Sequence, residues 1–225
     1  IGEVMAGIHR DHGVQLLTED QVVGFEGSVQ VTRAITAKGA RIDCDFAVLG
    51  IGIEPVVDAV RSSPITLDNG ILVDESCRTN VPDVYAAGDV ANHLHPVFGR
   101  LRVEHYNNAE KQARAAARAM LGDPRPYDDI HSFWSDEYEH KIEYVGYART
   151  WDRIVIRGSQ ATLQFLAFYL SNGIMKAAFG LNRGGDPEID ADSDLRACQG
   201  LIRAQVPVSD AALADDRVDL WSLRR

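Results

Sequence analysis

One run of residues carries the clearest chemistry. Val84-Tyr85-Ala86-Ala87-Gly88-Asp89 reads as an apolar strand that delivers a glycine and then a carboxylate to its C-terminal end, where open α/β sheets bind ligands. Gly88 permits close backbone approach, and Asp89 can accept hydrogen bonds from a sugar-like diol. Taken alone, the run also suits a turn glycine followed by a helix-capping aspartate. A short loop later Asn107 opens an Ala-rich run to Leu121, whose unpaired first-turn N–H groups would face the same end of the sheet and favour negative charge there. Glu104, His105 and Tyr106 lead into that helix start and would flank such a site, or simply precede an ordinary capped helix. His93, His95 and His105 could be imagined as metal ligands, but no carboxylate or cysteine spacing supports them, and a polar loop is the reading for His93 and His95.

The chain that must position these groups has 225 residues, 45% hydrophobic and 25% charged, enough apolar material for one or two packed cores. Its formal charge of -10 disfavours nucleic acid, which needs a basic surface. Cys44, Cys77 and Cys198 lie far apart, form no C-x-x-C and are too few for a disulfide framework, so a reducing, cytoplasmic compartment is expected. No stretch suits a signal peptide or a membrane span, and no membrane partner is expected. The chain opens without Met, directly in a helical pattern of Ile1, Val4, Met5 and Ile8, and is read as starting inside a longer protein.

Buried strands are predicted at Val14 to Leu17 and Phe46 to Leu49, with a meander of Val22 to Phe25, Val29 to Ile35 and Arg41 to Asp45 between them. A short helix up to Ser63 and a strand from Ile71 to Val73 come next. Gly122-Asp123-Pro124 stops the Ala-rich helix, and the segment to Pro126 is the best domain boundary. Beyond it, Phe133 to Tyr138, Lys141 to Val145, Arg153 to Arg157, Gln164 to Leu170 and Ile174 to Phe179 read as strands joined by turns such as Ser171-Asn172-Gly173. Ser193 and Asp194 can cap a helix to Ala204, and Asp210 to Ala214 can form one more turn.

Val81-Pro82-Asp83-Val84-Tyr85-Ala86-Ala87-Gly88-Asp89-Val90-Ala91 resembles the second FAD-contacting motif of the flavin-dependent pyridine-nucleotide oxidoreductases. Arg102-Val103-Glu104-His105-Tyr106-Asn107-Asn108-Ala109 is similar to the Arg-Val-Glu-His-aromatic-x-Asn-Ala segment of the branch that holds the putidaredoxin-reductase-like and dioxygenase ferredoxin reductases and apoptosis-inducing factor. Phe133-Trp134-Ser135-Asp136-x-Tyr138, Asn182-Arg183 and the tail from Ala214 to Leu220 carry the likeness over nearly the whole chain.

The resemblance implies an α/β plus α+β fold: remnants of two Rossmann-like nucleotide-binding domains, then a C-terminal α+β domain with an antiparallel sheet. Residues 1–49 would end an NAD(P)H-binding domain, 50–125 would be the last segment of an FAD-binding domain, and 126–225 the reductase C-terminal domain. It places Gly88 and Asp89 at the ribityl chain of FAD and Glu104 to Asn107 beside the flavin. Trp134, which on general grounds would be core, becomes a flavin neighbour, and Gly50 and Gly52 of a Gly-Ile-Gly-x-x-Pro stretch lie near the nicotinamide cofactor. Tyr106 replaces the commoner Trp, and Glu137 stands where Gln is frequent.

The implied activity passes electrons from NAD(P)H through flavin to an iron–sulfur ferredoxin, and so to a monooxygenase or dioxygenase. No G-x-G-x-x-G occurs, although the family carries two, so this chain alone is expected to hold FAD poorly and to be inactive. Arg149, Arg153 and Arg157 could belong to a docking face for an acidic ferredoxin or be scattered solvated charges. The competing reading is a non-catalytic interaction or homodimerisation module.

Overall fold

The computed structural model describes residues 1–224. It divides into two compact units, Ile1–Ile53 and Glu54–Arg225. The first holds helix α1 (Gly2–Asp11) and an antiparallel meander, β1 (Val22–Glu26), β2 (Arg33–Thr36) and β3 (Arg41–Asp43), in the order β1-β2-β3. Arg33 fastens the meander by bonding Asp43 at 2.6 Å and Glu26 at 3.2 Å. The strand expected from Val29 begins only at Arg33, and Val29 is fully exposed.

The two expected buried strands of this unit are absent. Val14 to Leu17 and Phe46 to Leu49 are irregular, with Phe46 75% and Val48 86% exposed. An apolar run becomes a parallel strand only when neighbours complete its ladder and cover both faces. Among the described residues nothing pairs with either run.

The second unit opens with a 3₁₀ turn at Asp58–Val60, where a helix to Ser63 was expected. Then β4 (Ile71–Val73), β5 (Ala91–His95) and β6 (Gly99–Leu101) form a small sheet, β4 parallel and β6 antiparallel to β5. The expected strand Val84 to Ala87 makes only an isolated bridge between Tyr85 and Arg78. His93 and His95 lie on β5 and are buried, which corrects the polar-loop reading. Strand geometry holds them because backbone carbonyls receive their ring N–H groups, His93 Nε2 to Glu75 at 3.2 Å and His95 Nε2 to Asp129 at 3.0 Å.

Helix α2 (Tyr106–Met120) starts one residue before the expected Asn107 and buries Ala115, Ala116 and Ala119. Strands β7 (Ser132–Glu137), β8 (His140–Gly146), β9 (Arg153–Ser159), β10 (Gln164–Ser171) and β11 (Ile174–Leu181) form one antiparallel sheet in the order β7-β8-β11-β10-β9. Helix α3 (Asp194–Ala204) packs Leu195, Cys198, Leu201 and Ile202 against Val145, Phe168, Leu170 and Met175 of that sheet. Ser193 caps α3 by accepting the Arg196 N–H at 3.1 Å, and Ser209 caps α4 (Asp210–Ala214) in the same way at 3.2 Å. Burial pushes the Cys77 thiol up to about 12 and raises Cys198 as well, so both behave as small apolar residues.

Arg157 on β9 is 2% exposed and does not face a partner, which removes it from any docking surface. Its Nη2 donates to the carbonyls of Asp215, at 2.5 Å, and Val218, which pins the C-terminal tail to the sheet edge. Arg149 lies over the Tyr147 ring and Arg153 pairs with Asp210 at 3.1 Å.

Candidate functional site

The Gly88-Asp89 turn is built against α2. Gly88 sits at φ +80°, in the left-handed region that favours glycine, and a Cβ there would meet the Ala109 Cβ at 3.4 Å. Its N–H donates to Gln112 Oε1 at 2.7 Å, and Gln112 is 2% exposed. Asp89 leaves its carboxylate exposed while Arg102 Nη1 bonds its carbonyl at 3.0 Å. Replacing Gln112 by leucine strands the buried Gly88 N–H, and a loss of about 1–3 kcal/mol is expected. Urea unfolding of the variant checks it; an unchanged midpoint would show that the turn does not lean on this bond.

The same Arg102 Nη1 is ion-paired with Glu104 at 2.5 Å, so Glu104 helps to orient the arginine. His105 is the N-cap residue of α2, without a side-chain cap bond. Burial holds its ring below the ordinary histidine range; the ring meets Phe133 edge-on at 5.3 Å, and its Nδ1 is buried without a partner. Tyr106 is 88% exposed and Trp134 62%, so Trp134 is no core residue. Asn107 turns toward β7, its Nδ2 donating to the Ser132 carbonyl at 3.0 Å and to Ser132 Oγ at 3.2 Å.

These side chains wall a concavity of about 700 Å³, lined by His105, Tyr106, Asn107, Phe133, Trp134, Glu188 and Ile189 among others. The structure thus brings together the α2 start and the β7 aromatics. Gly88 and Asp89 sit on the same unit, at the turn that Gln112 holds, outside that lining. Gly50 and Gly52 fall in the first unit, Gly52 at φ +96°. Phe133 was named only within the motif around Trp134, and Lys111, Gln112, Glu188 and Ile189 were not foreseen. Only Gln112 left a signal: it is a polar residue in the middle of an alanine face.

A flat conjugated ring fits this arrangement. Aromatic faces flank it, a buried ring nitrogen lacks a partner, and the first turn of α2 carries no acidic residue to compete with a negative ligand edge. A metal fits poorly at the histidines. His95 Nδ1 already accepts from the Val97 N–H at 3.0 Å and its Nε2 is engaged, and among the described residues no group has metal-binding spacing.

The pyridine nucleotide-disulphide oxidoreductase family matches residues 1–113, and the reductase C-terminal family matches residues 132–224. The chain belongs to the pyridine nucleotide-disulphide oxidoreductases. Among family members it is 32% identical to putidaredoxin reductase of Pseudomonas putida over 95% of this chain and 50% of that protein. It is 38% identical to the 5,5'-dehydrodivanillate O-demethylase ferredoxin reductase subunit of a Sphingobium species over 79% of this chain and 44% of that one. A solved ferredoxin reductase from Rhodopseudomonas palustris superposes with a TM-score of 0.89 at 29% identity, covering 99% of this chain and 54% of that one. Putidaredoxin reductase in its covalent complex with putidaredoxin gives 0.86 at 32%, covering 98% and 52%. The chain therefore spans about half the length of the relatives it matches. The mixed α/β architecture and the antiparallel C-terminal sheet agree with the fold expected from the sequence.

Proposed function

We propose that this chain is part of an FAD-dependent NAD(P)H:ferredoxin oxidoreductase that supplies electrons, through an iron–sulfur ferredoxin, to a monooxygenase or dioxygenase. The observation that carries the reading is the aromatic concavity at the N-terminus of α2, on the same unit as the Gly88-Asp89 turn. The segments 1–49, 50–125 and 126–225 then serve the nicotinamide, the flavin and the C-terminal domain. Among the described residues no helix is long and apolar enough to cross a membrane. A cytoplasmic location is the setting that suits the free cysteines.

The flavin, when bound, supplies the exchange between a two-electron hydride donor and a one-electron acceptor. The chain's own residues orient and bias it. Asp89 would accept hydrogen bonds from ribityl hydroxyls, and the start of α2, where Asn107 Oδ1 already accepts the Asn108 N–H, would place the positive end of the helix dipole near the flavin edge that gains charge on reduction. Tyr106 and Trp134 present exposed aromatic faces at the mouth, where an acceptor protein can approach. Gly50 and Gly52 serve the nicotinamide side.

Asp89→Ala in the full-length protein removes charge-assisted hydrogen bonds worth about 1.5–3 kcal/mol, so the dissociation constant for FAD should rise about 10- to 150-fold with little effect on folding. Flavin content per purified chain and a titration of the apoprotein measure it. Unchanged content and affinity would remove Asp89 from the site.

A further inference from the structure

Asn107 and Lys111, four residues apart on α2, are both tied to one carboxylate outside the helix, Lys111 directly and Asn107 through Ser132. Glu188, on the loop between β11 and α3, receives the Ser132 hydroxyl proton at 2.7 Å on Oε1 and meets Lys111 Nζ at 2.6 Å on the same oxygen. Ser132 in turn receives the Asn107 amide on both its carbonyl and its hydroxyl. The four side chains close a circuit that runs from the helix start to β7, to the loop and back to the helix one turn later. The loop is itself braced: Asp186 Oδ1 accepts the Glu188 N–H at 2.8 Å, and Gly184 and Gly185 take φ +113° and +73°, so the chain can turn back under the pocket. Ser132 is 3% exposed, so its bonds are shielded from water.

We propose that Glu188 is a positioning residue that clamps the start of α2 to the C-terminal domain and forms the pocket wall against which the redox ring seats. The inference rests on the flavin reading of the concavity. The Glu188 carboxylate is one of three on that lining, with Glu110 and Asp186, and is the one set against Lys111, so removing its charge makes the pocket more favourable to a reduced, more negative ring.

In the full-length protein, S132A and E188A should speed hydrogen exchange of the amides of residues 106–112 and release flavin with a dissociation constant raised about tenfold, the equivalent of one lost bond of about 1.4 kcal/mol. E188Q keeps an oxygen for Ser132 and should restore slow exchange and flavin retention while raising the midpoint potential of the bound flavin. A purely structural side chain would not separate potential from retention in this way. E188A with wild-type exchange and wild-type flavin affinity would overturn the clamp, and E188Q with an unchanged potential would overturn the role of its charge. A wild-type protein that binds no flavin would refute the reading of the pocket, and the exchange rates would still decide the clamp.

Discussion

Lowering the pH from 7 to 5 is expected to cost the second unit about 4 kcal/mol through two residues, His93 and His131. Both are nearly inaccessible, at 2% and 4% exposure. Burial pulls the His93 imidazole down to about 4 and the His131 imidazole to about 3, and the neighbouring ring of His95, itself lowered by burial, adds to both shifts. The unfolded chain binds protons below about pH 6.5 that the native rings refuse, so this stabilisation is complete above that value and falls away as pH drops toward the native pKa values. At about 1.36 kcal/mol per unit, each ring loses about 2 kcal/mol between pH 6.5 and 5. The buried carboxylates of Asp129 and Glu143, raised by desolvation, pull the other way at the acid end of the range. His95 Nδ1 already receives the Val97 N–H, a bond that protonation at that nitrogen would break. Urea unfolding at pH 7.5, 6.5, 5.5 and 5 measures the slope, and His131→Phe should flatten it; a stability level across that range would contradict the prediction.

Arg157→Ala should cost about 3–5 kcal/mol, a large share of what a domain of this size possesses. The substitution removes the donor from the half-buried carbonyls of Asp215 and Val218 and opens a void where the buried guanidinium lay. Asp216, whose carboxylate lies 3.4 Å from Arg157 Nε, keeps Arg183 at 2.6 Å, so the exposed ion pair is not the source of the loss. Detachment of the tail should show as faster proteolysis after residue 214 alongside the lower unfolding midpoint. A variant that unfolds within about 1 kcal/mol of the parent would mean that the tail is held by its apolar contacts, such as Leu220, alone.

The C-terminal sheet was legible because its signals are local. Strand-length apolar runs alternate with turn residues, and at Asn172 and Gly173 both central residues take positive φ, +53° and +76°, the geometry an Asn-Gly hairpin encodes. The Ala-rich helix was legible for the same reason, its alanine face matching the side it buries. Val14 to Leu17, Phe46 to Leu49 and Val84 to Ala87 failed because apolar composition alone does not specify a ladder. His93 and His95 look polar in one dimension and are core in three, since their cost of burial is met by carbonyls at Glu75 and Asp129 that no spacing rule connects to them. In the site, Tyr106 and Trp134 were reached through motif likeness, whereas Glu188 lies about eighty residues from the helix it holds and has no periodic or motif signal pointing to it.

Helix α2 carries two anchoring stripes at the same spacing. Asn107 and Lys111 point to Ser132, Asp129 and Glu188, while Asn108 and Gln112 point to the Val103 carbonyl, the Tyr127 hydroxyl and the Gly88 N–H. Each residue added to a helix turns everything beyond it by about 100°. Inserting or deleting one residue between 108 and 111 would leave the first member of each stripe in place and swing the second onto the wrong neighbour, so both the Asp89 turn and the loop of Glu188 would lose their hold together. Replacement of the exposed Glu110 or Arg114 should be tolerated, and a scan of single-residue length changes along α2 should find the segment far less forgiving of length than of side-chain identity.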